Sequence, residues 1–148
     1  MAGLAVVGYF LLFYFMDKTM MLGAYVQVGV LLLYFGFMYL AAKHYADLEF
    51  KKLLKIAFGV FVLTNLFYYA FDYYLFNIMD KSLADIQKDM MLDYYKTGAK
   101  SVEESAVMSE NINKGDFHNA STLIFGYARG AIGGFGLSIL VAYLVKER

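Results

Sequence analysis

MMLGAYVQVGVLLLYFGFMYLAA, residues 20–42, runs for 23 positions with Gln27 as its one strongly polar side chain. A helix of that length reaches roughly 35 Å at about 1.5 Å per residue, enough to cross a hydrocarbon core of about 30 Å. In water the segment would have to be enclosed on every side. A chain of 148 residues, 61% hydrophobic and 19% aromatic, has too little interior for that, because much of a small domain's area must face solvent. In lipid the demand is reversed, and long apolar runs are what the solvent requires. The stretch decides the class: an all-α, polytopic membrane protein.

Three more spans follow on either side of it. Residues 3–16 are apolar and closed by Asp17-Lys18-Thr19. The run is short of the roughly 20 residues of a full span, so it calls for tilt, local thinning or half-insertion. No Lys or Arg precedes Lys18, so the positive n-region of a secretory leader is missing and the segment is expected to remain as a membrane helix. Residues 43–55 form a polar turn. The third run, 56–78, is interrupted by Asn65, Asp72 and Asn77, and the fourth, 120–145, carries Arg129. The expectation is a four-transmembrane-helix bundle, a single membrane domain over 1–148, with an amphipathic helical excursion at 79–119 between helices three and four.

Within the excursion, Ser82 and Asp85 have the spacing of a capping box, and Leu83, Ile86, Met90 and Tyr94 recur on one helical face. Gly98 reads as its C-cap. Ser101 with Glu104 opens a second, short helix expected to end near Asn111, and Asn113-Lys114-Gly115-Asp116 reads as a turn. The apolar face of the first helix suits a cap on the bundle better than a place on the bilayer surface, since its polar face is mixed rather than basic. Lys43, Lys51, Lys52 and Lys55 crowd the loop between spans two and three, against Lys18 alone between spans one and two. The positive-inside rule then places both termini in the cytoplasm and the excursion outside. Eight acidic residues against five lysines in the excursion are compatible with that side.

Arg129 is the most informative residue, because a charge in hydrocarbon needs a partner, water or a route to the interface. Asp72 is its first candidate partner, since spans three and four are antiparallel and both residues lie at similar depth. Asp17 is a second, and a carboxylate on another protein a third. With Asn65 deeper in the bundle, Arg129 and Asp72 define an intramembrane polar site. The competing interpretation is a structural pair that fixes helix register, or an arginine that snorkels outward. The last span also carries Gly126, Gly130, Gly134, Ser138 and Ala142, each four apart on one face. Such a ladder lets helix backbones approach closely, either within the bundle or against another subunit. Gly29 and Gly36 suit a similar seam. The clustered Tyr68, Tyr69, Tyr73 and Tyr74 fit an interfacial aromatic belt.

Several chemistries are not expected. The chain has no cysteine, and its 13 basic and 13 acidic residues cancel, so disulfides, thiolate chemistry and bulk attraction to nucleic acid are out. His44 and His118, one near each interface, read as solvated histidines rather than metal or haem ligands. There is no phosphate-binding loop, HExxH or GxSxG. Catalytic, cofactor-binding and metal residues are therefore assigned as none. Asn119-Ala120-Ser121 is a formal glycosylation triplet at a membrane boundary.

From 50 to 80, a lysine-rich turn leads through Lys55-Ile56-Ala57-Phe58-Gly59 into an apolar span that ends in tyrosines and Asn77-Ile78-Met79-Asp80. This stretch, with the polar excursion and the glycine-containing last span, resembles a family of small Bacteroidetes inner-membrane proteins described only as a four-helix domain of unknown function. The resemblance implies the same topology in a bacterial inner membrane, and no site residues.

The resulting functional expectation is a non-enzymatic accessory or structural subunit of a larger bacterial membrane assembly. Its partners would be membrane lipid and another integral membrane protein, or itself as a homo-oligomer, with no nucleic acid. The alternative is a small transporter or channel component with a polar site around Arg129 and Asp72.

Overall fold

The computed structural model describes residues 1–98 and 102–147. All regular structure in it is helical: α1 (Ala2–Met16), α2 (Lys18–Leu22), α3 (Ala24–Lys43), α4 (Phe50–Tyr74) running into a π-helical turn (Leu75–Met79), α5 (Ser82–Gly98), α6 (Val102–Lys114) and α7 (Ala120–Lys146). The segments Ala24–Lys43, Phe50–Met79 and Ala120–Lys146 are each long and apolar enough to cross a membrane. Many large apolar side chains on them face outward, among them Leu32 at 67%, Phe125 at 76% and Ile132 at 78% exposure. Water would penalise that surface and lipid does not. The chain is an all-α, multi-pass membrane protein.

The helices group into two compact units, Met1–Phe71 with Ile124–Arg148, and Asp72–Leu123. In the first, α1 has 15 residues, roughly 22 Å at about 1.5 Å per residue. It stops because Asp17 turns its backbone to the extended conformation and its carboxylate accepts from the N–H groups of Thr19 (2.7 Å) and Met20 (3.3 Å). That side chain caps α2, so the polar Asp17-Lys18-Thr19 is a helix-to-helix break rather than an open loop. The residues at 20–22, which read as the start of the second span, belong to α2, and α3 begins after Gly23. Against α3 and α4, α1 places Tyr9 over Gly29, Phe67 over Gly3, and Phe10 beside Tyr68 with ring centroids 5.3 Å apart.

α4 begins at Phe50, earlier than the apolar run at 56. Lys51, Lys52 and Lys55 are exposed while Leu53 and Ala57 are fully buried. Lysine is a good helix former, so a turn that is polar by composition continues as the amphipathic first turns of the helix.

In the second unit, α5 packs against α6 and the π-turn. Leu83 is fully buried, Ile86 and Met90 are half-buried, and Tyr94 is 76% exposed. The start of α5 is held from outside it. The Asp80 carboxylate accepts from the Ser82 N–H at 3.2 Å and the Ser82 hydroxyl at 2.6 Å, and Ser82 is itself the first residue of α5 rather than the cap before it that the capping-box spacing suggests. The capping signal at Ser101 lies outside the described residues. α6 continues past Asn111 to Lys114 because Ile112 is buried, and it closes where the Gly115 N–H bonds back to Asn111 and Ile112 carbonyls. Asn119 then caps α7, its side-chain oxygen accepting from the Thr122 N–H at 2.8 Å.

Candidate functional site

The α4 helix ends without proline or glycine, yet its ladder widens to an i→i+5 bond, from the Asp80 N–H to the Leu75 carbonyl at 2.8 Å. The Asn77 side chain explains the change. Its amide nitrogen donates to the Tyr73 carbonyl one turn back at 3.0 Å and to the His118 carbonyl at 2.8 Å, so a side chain is inserted into the helical ladder. The extra residue in the turn brings Phe76 flat against the His118 imidazole, with ring centroids 3.5 Å apart and planes 6° from parallel.

His118 is thereby the centre of a buried polar cluster in the second unit. Its Nδ1 lies 2.8 Å from Oδ2 of Asp72, and its Nε2 lies 2.6 Å from Oε1 of Gln87. His118 and Asp72 are each 9% exposed. Two arrangements satisfy both ring nitrogens and the two side-chain atoms that face them. An imidazolium donates to both oxygens, or a neutral ring donates to Asp72 and accepts from a Gln87 amide turned end for end. In either, both ring nitrogens are occupied. The position a nucleophile takes in an Asp–His–nucleophile relay is filled by an amide. The cluster ties the last residues of α4, the start of α5 and the loop before α7 to one ring.

Sequence separations of 46 and 31 residues give no local signal for this cluster. A depth argument could have found it, because Asp72 and His118 stand at the corresponding ends of two consecutive antiparallel spans. His118 is not a solvated interfacial ring, because Phe76 and Gln87 close over it. His44 is exposed.

The first unit holds the other polar residues. Asn65 is 6% exposed, accepts from the Tyr34 hydroxyl at 3.3 Å through Oδ1, and leaves Nδ2 as a buried donor with no acceptor. It faces the small-residue ladder of α7. A Cβ added at Gly130 would sit 3.1 Å from Asn65 Nδ2, one at Gly126 would sit 3.0 Å from the Tyr69 hydroxyl, and one at Gly134 would collide with the Phe61 ring. Those three α4 residues are themselves four apart, so the ladder and the α4 row run antiparallel in register. Ser138 and Ala142 continue it and are fully buried, the Ser138 hydroxyl donating to the Gly134 carbonyl at 2.6 Å.

Arg129 is on the side of α7 turned away from that ladder. It is exposed, and no hydrogen bond, ion pair or ring contact joins it to another of the described residues. Phe125, Ile132, Gly136 and Tyr143 share its face, and nothing lies within 4 Å of a Cβ added at Gly133 or Gly136. Asp72 and Arg129 fall in separate units, and Asp72 is engaged by His118. Among the described residues, no three histidine or carboxylate groups converge as a metal site would require.

The profile of a family described as "Protein of unknown function (DUF4199)" matches residues 1–147. Neither a curated protein nor a solved structure matches the chain.

Proposed function

We propose that this chain, which belongs to the DUF4199 family, is a non-enzymatic accessory subunit of a larger membrane protein assembly. In this reading four helices cross a bacterial inner membrane, with both termini in the cytoplasm and 79–119 in the periplasm. One observation carries it: Arg129 is exposed on an apolar helix face and bonded to none of the described residues. A lone guanidinium in hydrocarbon is costly, so that face is complementary to something outside the chain. The polar cluster supports the same reading. Both nitrogens of His118 are committed to Asp72 and Gln87, whereas general acid–base work needs one of them facing a substrate.

The test is gentle solubilisation from native membranes, capture of the chain, and stoichiometry of what accompanies it. A foreign integral membrane subunit at constant ratio through two unlike detergents is the expected result. Recovery of the chain alone, as monomer or closed homo-oligomer, would sink the proposal.

A second reading, a small transporter or channel component, is favoured by the unpaired Nδ2 of Asn65 inside the first unit. A solute passing along the bundle would find a donor there. Flux in proteoliposomes of the purified chain that is lost in Asn65→Leu would establish that reading instead.

A further inference from the structure

Arg129 identifies its partner by chemistry. It stands six residues beyond Leu123, the first apolar residue of α7 after Asn119, Ser121 and Thr122, and so about 9 Å deeper along the axis. Around it the surface is apolar: Phe125 is 76% and Ile132 78% exposed, and Ala128 is exposed with them. Gly133 and Gly136 have open space where a side chain would be, so a second helix can approach this face closely. A cation so placed needs an anion that reaches it sideways, through the membrane.

A further copy of the chain offers no uncommitted carboxylate along its apolar helices; its other acidic residues lie in the polar segments 43–55 and 79–119 and at Glu147. Within the apolar helices the acidic residues are Asp17, which caps α2, and Asp72, which is buried against His118. We infer that the Phe125–Arg129–Ile132 face of α7 docks a transmembrane helix of a different protein, and that this helix carries an Asp or Glu that pairs with Arg129. The inference rests on the accessory-subunit reading and adds to it the location and the charge of the contact.

The experiment places a photo-crosslinking amino acid at Ile132, one turn from Arg129 on the same face, in the full chain in its native membrane. The crosslinked species is identified by mass spectrometry. The same is done in Arg129→Gln and Arg129→Lys backgrounds; Arg129 bonds to none of the described residues, so both substitutions leave the fold intact. The expected product is a foreign peptide from a membrane span that contains Asp or Glu. Its yield should fall by about tenfold or more in Arg129→Gln, the loss expected when a desolvated charge pair is broken. It should fall less in Arg129→Lys, and recover when Arg129→Asp is combined with an acid-to-Arg change in the partner. A foreign peptide without an acidic residue, insensitive to Arg129→Gln, overturns the carboxylate contact but leaves the accessory reading standing. Crosslinks only to lipid, or only to another copy of the chain, overturn the docking inference, and the accessory reading falls with it only where capture from native membranes also returns the chain alone.

Discussion

Two side chains decide most of the local chemistry. His118 is held by Asp72 and Gln87 and stacked on Phe76, so removing it takes the partner from a buried carboxylate and from a half-buried amide. Breaking a buried pair at one end typically costs about 3–5 kcal/mol. His118→Ala and Asp72→Asn should each lower the thermal midpoint in detergent by several degrees, and a change within error in both would show that the cluster contributes nothing to stability. The Tyr34–Asn65 pair behaves differently, because Asn65 Nδ2 is unsatisfied already. Tyr34→Phe alone should cost about 1 kcal/mol, since it strips Asn65 of its remaining bond. The double change Tyr34→Phe with Asn65→Leu should be milder than the sum, because it replaces both polar partners by apolar groups. A double-mutant cycle in denaturant measures the coupling, and strict additivity would count against the bond.

Between helices, the α4–α7 seam is built of backbone proximity. Gly134 lies directly under Phe61, whereas Gly133 on the neighbouring face meets nothing. Gly134→Val should therefore disrupt the seam by about 1–3 kcal/mol or more from overpacking, while Gly133→Val should leave the stability of the purified chain nearly unchanged. Equal effects in a detergent unfolding series would mean that α7 is not packed in this register. The π-turn gives a parallel case. Asn77 satisfies the carbonyls of Tyr73 and His118 with one amide, and Asn77→Leu removes both bonds, the one to the part-buried His118 carbonyl included. A loss of about 1–3 kcal/mol is expected, with greater hydrogen–deuterium exchange confined to 72–79 and 115–119. Unchanged exchange there would show that the turn is set by the backbone alone.

For the molecule as a whole, orientation is open to a direct measurement because the chain has no cysteine. Single cysteines at Thr97 and Glu110 should react with a membrane-impermeant maleimide from the periplasmic side, and one at Lys51 only after permeabilisation. The reverse pattern would invert the topology. Much of this architecture is already legible in the chain. The length and apolarity of the runs at 20–42, 56–78 and 120–145 determine that helices form and that they lie in lipid, because unsatisfied backbone is intolerable there and only helices satisfy it locally. The four-residue spacing of the small residues in α7 marks the face along which a backbone can approach. Tertiary structure alone decided what meets what. Asp72, Gln87 and His118 are brought together beside a π-turn that Asn77 holds through the His118 carbonyl, a contact 41 residues away in sequence, and a helical period says nothing about partners 31 or 46 residues away. Whether Arg129 faces the seam or the lipid depends likewise on the rotation of α7 against α4. That rotation is set by Phe61, Asn65 and Tyr69 filling the glycine ladder, since van der Waals contact between backbones, not hydrophobic burial, is what orients helices in a membrane.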